Sequence, residues 1–212
     1  TVADSMISWA HKCSDEAAAF AENVKNPEYK NNLKILSETL KRVPEYPAES
    51  FYEAVLSIYL LFGYEPDSVG TLDRNLYDFY KKDIDDGKLT RDGAKEILQE
   101  LFLMLQANTP KYSENFTRGG ESHFCVGGYD KNGNDVFNDF SMLILESMYA
   151  LPTYIPQISL RWTPKLPYDI FERVLKMSVN DPNNRIAFIN DDIKIRAATR
   201  IANIPFEKAC GY

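Results

Sequence analysis

A chain of 212 residues, 44% apolar and 26% charged, has the composition of an ordinary globular domain with enough length to bury a sizeable core. Acidic residues outnumber basic ones, 31 to 24, for a net charge of −7, which speaks against the basic stripe of a nucleic-acid binder. Apolar runs fall short of the roughly 18 residues of a membrane span, and three scattered cysteines (Cys13, Cys125, Cys210) argue for a reducing cytoplasm over a disulfide framework.

The given residues show no signal-peptide pattern, and the start at Thr1 without Met reads as a cut. Residues 4–24 form an Ala-rich helix that Asn26-Pro27 ends, because the residue before a proline avoids the helical region. Residues 28–42 resume with Tyr29, Leu33, Leu36 and Leu40 at helical spacing. After the rigid turn Val43-Pro44-Glu45-Tyr46-Pro47, residues 50–62 are apolar around most of their circumference and predict a helix buried on most sides. A loop over residues 63–70 follows, carrying Glu65, Asp67 and Ser68. Residues 72–86 are an amphipathic helix closed by Gly87, and Thr90 caps the next, residues 91–105.

Residues 108–121 are polar and irregular; 123–129 read as a strand and Asn132-Gly133 as a tight turn. Asn138 or Asp139 caps a helix over residues 140–151. Residues 157–162 are a strand with Ile158, Leu160 and Trp162 on one face and Ser159 and Arg161 on the other. Pro167 opens a helix to residue 180. A short buried strand (186–189), an acidic turn (Asn190-Asp191-Asp192), a helix to about Ala202 and a fresh start at Pro205 complete the chain. Helices first, then strands alternating with helices, predict an α/β layer with a helical flank.

His11/Cys13 sit on a helix, where i and i+2 point apart; His123/Cys125 sit on a strand and share a face, yet two ligands fall short of a zinc set. Asp130-Lys-Asn-Gly-Asn-Asp135 has its glycine in the wrong place for a calcium loop, and a hairpin turn accounts for it. No metal site is expected. Gly127-Gly128 lack the strand-to-helix setting of a phosphate loop and fit a close passage of backbones at a strand end. Two readings stand for the loop at 63–70: solvated acids, or Glu65 and Ser68 hydrogen-bonding a small polar substrate. Trp162 is either a pocket wall or a core residue, and Asn190-Asp191-Asp192 can serve as a helix cap. The residues by themselves show no nucleophile–base pair, cofactor fingerprint or metal set.

Several stretches together resemble the pyruvate formate-lyase-like branch of the glycyl radical enzymes. They are Arg42-Val43-Pro44 with Pro47-Ala48-Glu49-Ser50-Phe51-Tyr52-Glu53-Ala54; Gly70, Asp73, Leu76, Phe79, Tyr80 and Asp83 with Gly87-Lys88-Leu89-Thr90; Val126-Gly127-Gly128 with Gly133-Asn134-Asp135; Asn138-Asp139-Phe140-Ser141 with Ile144-Leu145-Glu146; Pro156 to Trp162; and Ala187 to Asp192. Each is weak alone; their order and spacing carry the match.

The resemblance implies a helix-rich α/β fold, a partial (half) barrel of the pyruvate formate-lyase type with a helical flank. Residues 1–212 would be one partial domain, 1–105 mainly helical flank and 106–212 strands alternating with helices. It implies an anaerobic, cytoplasmic parent in which a cysteine thiyl radical drives C–C lysis, dehydration or decarboxylation of a small polar metabolite. The parent's glycyl radical would be installed by a separate adenosylmethionine and iron–sulfur activase, and the resemblance leaves a homodimer open. Glu207, Lys208, Ala209 and Tyr212 align with the approach to the reacting cysteine, which then falls about five residues past Tyr212. Cys210 is not assigned as that thiol, and with the reacting cysteine expected beyond Tyr212 the chain alone is expected to be inactive and to bind no cofactor.

Glu65-Pro66 replaces the His-Ser pair of the diol dehydratases and Thr71 the usual arginine, which argues against those substrates, whereas Trp162 with Lys165-Leu166-Pro167 looks closer to pyruvate formate-lyase. An acid at Glu65 suits a hydroxyl or ammonium better than a carboxylate. Glu65, Ser68 and Trp162 are the expected pocket residues, with the substrate open. A different class of reading is a non-catalytic helical interaction protein that keeps the family scaffold.

Overall fold

A computed structural model describes residues 1–64, 68–108 and 123–210. The chain divides into two compact units, Thr1–Tyr64 and Glu65–Tyr212.

The first unit contains the helices α1 (Val2–Asn23), α2 (Pro27–Leu40) and α3 (Phe51–Tyr64). On α1, Ala10, Ser14, Ala17 and Ala21 are buried at spacings of three and four, a stripe of small side chains along which α2 packs closely. Ser14 sits in that seam and donates its hydroxyl to the Ser37 carbonyl at 2.7 Å, so the buried polar group is satisfied. Asn26 caps α2 by accepting from the amides of Glu28 and Tyr29, with Pro27 in the first turn where its missing N–H costs nothing. Leu40, Val43, Leu56 and Leu60 close the core around Ala10. His11 reaches Glu45 at 3.1 Å.

In the second unit, the strands β1 (Ser68–Thr71), β2 (His123–Gly127), β3 (Gln157–Trp162) and β4 (Ile186–Asn190) form one sheet in the order β1-β2-β3-β4, every pair parallel. Between them run α4 (Leu72–Asp85), α5 (Arg91–Asn108), α6 (Asp139–Tyr149) and α7 (Tyr168–Asn180); α8 (Asp191–Ile201) and the single turn α9 (Phe206–Ala209) follow β4. The architecture is the helix-rich α/β arrangement expected from the pattern. It differs in one element: part of the stretch read as a loop over residues 63–70 pairs as β1, and β1, α4 and α5 belong to the same unit as the later strands. A four-residue strand with glycine in it carries almost no alternation to read. Gly70 adopts φ 72° where the register of β1 against β2 slips by one residue, a bulge that glycine permits.

Alternation along the strands separates the two faces. Phe124, Val126, Ile158, Leu160 and Ile186 are buried on one face, in a core shared with Leu72, Leu76, Phe102, Leu105, Phe140 and Val174. Phe102 meets Phe124 at 6.0 Å between ring centres, and Tyr80 stacks on Phe140 at 4.4 Å. The opposite face carries His123, Cys125, Ser159, Arg161 and Ala187. The turn after β2 is the expected hairpin: Tyr129 bridges Asp135, and the Asp130 carboxylate accepts from the amides of Asn132 and Asn134 at 2.8 Å each.

Candidate active site

In parallel sheets the chemistry gathers beyond the carboxyl ends of the strands, where the following helices begin. Three such junctions converge here. Leaving β1, α4 places Asp73 and Arg74 in its first turn. Leaving β2, Gly127 and Gly128 lead through the hairpin to Asn138 and Ser141 at the start of α6. Leaving β4, Asn190 caps α8 and Asp191 is its first residue. Both aspartates sit at helix N-termini, where the dipole favours a negative charge.

Asp191 is fully buried and takes Arg161 side-on, with Nε donating to Oδ1 at 2.8 Å and Nη2 to Oδ2 at 3.1 Å. The Tyr129 amide donates to the same Oδ2 at 2.8 Å. Asp73 accepts from the Gly127 amide at 2.8 Å, the Ser141 hydroxyl at 2.5 Å and the Arg74 amide at 2.9 Å. Burial nevertheless pushes its carboxyl above the usual range, against those three bonds. Arg74 spans the two junctions, donating to the carbonyls of Gly127 and Tyr129 at 3.0 and 2.7 Å.

Arg74 and Arg161 then meet on one acceptor. Arg74 Nη1 donates to the Cys210 carbonyl at 3.0 Å, and Arg161 Nη2 reaches the same oxygen at 3.4 Å. The chain at Cys210 is thereby tied to the ends of β2 and β3, while Ala209 and Cys210 pack with Tyr129 and Ile195. Among the described residues, two buried guanidinium nitrogens, Arg74 Nε and Arg161 Nη1, have no acceptor.

Gly127 and Gly128 make this packing possible. A Cβ on Gly127 would stand 3.1 Å from the Arg161 carbonyl oxygen, the close backbone passage that the sequence suggests. At Gly128, with φ 89°, a Cβ would stand 2.8 Å from both Arg161 Nε and Asp191 Oδ2, inside the ion pair.

Lys194 adds a third cation. It shares the inward stripe of α8 with Asp191, Ile195 and Ala198, is half-buried, and lies within electrostatic range of Cys125, Arg161 and Asp191. Burial and the neighbouring Arg161 push its ammonium below the ordinary lysine range. Burial also raises the thiols of Cys125 and Cys210, so both are held protonated at neutral pH and neither is set up as a thiolate nucleophile. His123 shares the face of Cys125, as its spacing requires, and its Nε2 lies 2.7 Å from Ser159 Oγ.

Of the residues singled out from sequence, Ser68 and Trp162 lie apart from this network. Glu65 lies outside the described residues. Ser68 opens β1, exposed, donating to the His123 carbonyl at 2.8 Å and accepting from the Gly70 amide. It therefore ties β1 to the start of β2, at the opposite end of the sheet from the buried pair. Trp162 lies on the apolar face of β3, 5.8 Å from Phe171, which meets Phe188 in turn. It lines a shallow apolar hollow with Thr163, Pro164, Leu166 and Tyr168.

The network of Asp73, Arg74, Arg161 and Asp191 is the part that sequence reasoning passed over. One signal was available: an arginine on the polar face of a strand in a parallel sheet requires a carboxylate, and Asp191 stands directly after the neighbouring strand. Asn190 does cap α8, accepting from the Ile193 amide at 3.2 Å, which leaves Asp191 free for the pair.

The chain matches the family model described as "Pyruvate formate lyase-like" over residues 1–210. It is 29% identical to an isethionate sulfite-lyase of Oleidesulfovibrio alaskensis across 82% of this chain and 23% of the relative. It is 25% identical to a trans-4-hydroxy-L-proline dehydratase of Clostridioides difficile across 82% of this chain and 24% of the relative. A glycyl radical enzyme of known structure from Archaeoglobus fulgidus superposes with a TM-score of 0.88 at 26% identity, covering 100% of this chain and 28% of that one. The chain spans about a quarter of the length of the curated relatives it matches.

Proposed function

Because the chain belongs to the pyruvate formate lyase-like family of glycyl radical enzymes, we propose that it is one wall of such an enzyme's reaction chamber and the anchor for the segment that approaches its reacting cysteine. The observation that supports this most is the convergence of Arg74 and Arg161 on the Cys210 carbonyl, at the carboxyl ends of parallel strands. Two guanidiniums on one carbonyl fix the direction in which the chain leaves α9, and that placement matters when a hydrogen atom must pass between groups about 3–3.5 Å apart.

In the proposed reaction a cysteine thiyl beyond Tyr212 takes a hydrogen atom from a small polar metabolite, leaving S–H and a substrate carbon radical. That radical rearranges or loses a bond, and the product radical recovers the hydrogen atom from the thiol. The relatives are named as lyases, dehydratases and decarboxylases, and the proposal extends to that range for the parent. A glycyl radical, installed by a separate adenosylmethionine and iron–sulfur activase, would supply the unpaired electron in an anaerobic cytoplasm. This chain by itself would position and enclose, without turning over. Glu65 remains the proposed group for a substrate hydroxyl or ammonium.

The test is anaerobic EPR of the complete gene product incubated with its activase and adenosylmethionine. A glycyl doublet is expected; its absence under every condition that activates a control relative would end the reading.

A further inference from the structure

We propose that Ser141, in the first turn of α6, is a positioning residue for radical transfer: through Asp73 it sets the grip of Arg74 on the Cys210 carbonyl, and with it the place to which the following segment brings the reacting cysteine. This rests on the reading of the chain as a chamber wall, and it names the group that aims the segment anchored there.

One carboxylate joins three elements. Asp73, 1% exposed, accepts at Oδ2 from the Ser141 hydroxyl at 2.5 Å and from the Gly127 amide at 2.8 Å, and at Oδ1 from the Arg74 amide at 2.9 Å. It thereby holds the start of α4, the end of β2 and the start of α6. The Arg74 side chain leaves the same turn of α4; its Nη2 donates to the Gly127 carbonyl at 3.0 Å and its Nη1 to the Cys210 carbonyl at 3.0 Å. Gly127 is therefore held from both sides, at the amide by Asp73 and at the carbonyl by Arg74. A shift of Asp73 moves the base of the Arg74 side chain and one of its anchors together, and the guanidinium carries that shift to Cys210.

Ser141 is placed to fix Asp73. It is fully buried, and its hydroxyl oxygen accepts from the Asn138 amide at 3.1 Å in the reciprocal cap of α6. A serine hydroxyl has a single hydrogen to give. It goes to Asp73 at 2.5 Å, since Asn138 Oδ1 lies farther off at 3.4 Å. Of the bonds that oppose the effect of burial on the Asp73 carboxyl, this one contributes most. Ser147 on the same helix provides the contrast. It too is fully buried, but it donates to the Leu143 carbonyl one turn back, inside α6. Ser141 instead bonds across 68 positions of sequence, onto the path that leads to Cys210.

The experiment reads radical transfer without a substrate, by moving the activated complete gene product into deuterium oxide under anaerobic conditions. The cysteine thiol exchanges its proton for a deuteron. The glycyl radical takes that deuterium atom from sulfur, leaving a thiyl, and the thiyl takes a hydrogen atom back from the same glycine carbon. Where it takes the protium, the hydrogen that splits the EPR line is gone and the doublet collapses to a singlet. The rate of collapse measures how well the two groups are aligned. Ser141→Ala is expected to keep the doublet and slow its collapse about tenfold or more, and Ser141→Thr, which keeps the donor, to restore most of the rate. Ser147→Ala should leave the rate unchanged. On an Arg74→Lys background, Ser141→Ala should add little further slowing, because both act on one contact. Collapse at the unaltered rate in Ser141→Ala, equal slowing in Ser147→Ala, or full additivity with Arg74→Lys would overturn the positioning role. Should Ser141→Ala fail to fold, Ser141→Cys, which fills the site with a weak donor, is read in its place. The two proposals fail differently. Without a doublet in the unaltered parent the proposed function ends and this role with it, whereas a doublet whose collapse is indifferent to Ser141 ends this role alone.

Discussion

Arg185 and Arg161 are both buried, each is paired with an aspartate, and they stand at opposite ends of neighbouring strands. Arg185 precedes β4. Its Nε and Nη2 bind Asp181, and its Nη1 donates to the carbonyls of Met148 and Leu151 and to Thr153 Oγ1 at 2.9–3.0 Å. The Arg185 amide also donates to Asp181 at 2.7 Å. Every side-chain nitrogen has an acceptor, and two of the acceptors are carbonyls around the end of α6. Arg161, near the carboxyl end of β3, binds its aspartate as well but keeps one nitrogen without an acceptor among the described residues. The same residue pair therefore stands in two settings: at the amino end of the strands every guanidinium nitrogen is engaged and the network ties the end of α6 to the start of β4, whereas at the carboxyl end one nitrogen has no acceptor among the described residues.

The largest effect should come from cutting the complete clamp. Arg185→Met leaves Asp181 buried without its cation and takes a donor from two carbonyls and a threonine hydroxyl, and is expected to cost about 3–5 kcal/mol by urea unfolding. Arg161→Met should cost less, by about 1 kcal/mol or more, because it also removes an unsatisfied buried donor. Equal losses would erase the distinction between the two clamps.

Next comes Gly128→Ala. The added methyl enters the Arg161–Asp191 pair at a positive φ, and a loss of about 2–3 kcal/mol is expected. A loss below about 1 kcal/mol, the ordinary cost of a glycine replaced at a strained angle, would show that the ion pair yields easily.

The smallest effect is one of pH. Burial raises the Asp181 carboxyl, but the bonds from Arg185 outweigh it and hold the group below its usual value near 3.8. A carboxylate with a depressed folded pKa contributes stability that is fully present above the unfolded value and is lost as pH falls through the folded one. Stability of the protein should therefore fall between about pH 4 and pH 2 more steeply than that of Asp181→Asn, measured by urea unfolding across that range. Parallel profiles would mean that Asp181 is not ionised in the folded clamp.

Trp162 and Arg161, adjacent in sequence, show how far the site was legible. Alternation correctly separates them onto opposite faces of β3, yet attention falls on the tryptophan, whose ring belongs to the aromatic cluster with Phe171. The arginine beside it belongs to the buried network. Its partner is 30 residues away in sequence, and the Ser141–Asp73 bond spans 68. Gly127-Gly128 were legible as a place of close approach, while the identity of what approaches was not.

By itself the sequence determined the helices and all the longer strands, their caps and the order of strand and helix. Those are set by periodicity and by side chains that bond within a few residues of themselves, as Asn26, Asn138 and Asn190 do. Tertiary structure alone decided that β1 joins the sheet, that Asp191 faces inward to an arginine, and that two guanidiniums share the Cys210 carbonyl. A buried charge accepts whichever partner the packing of distant segments delivers, and that choice is made only when the parallel strands come into register.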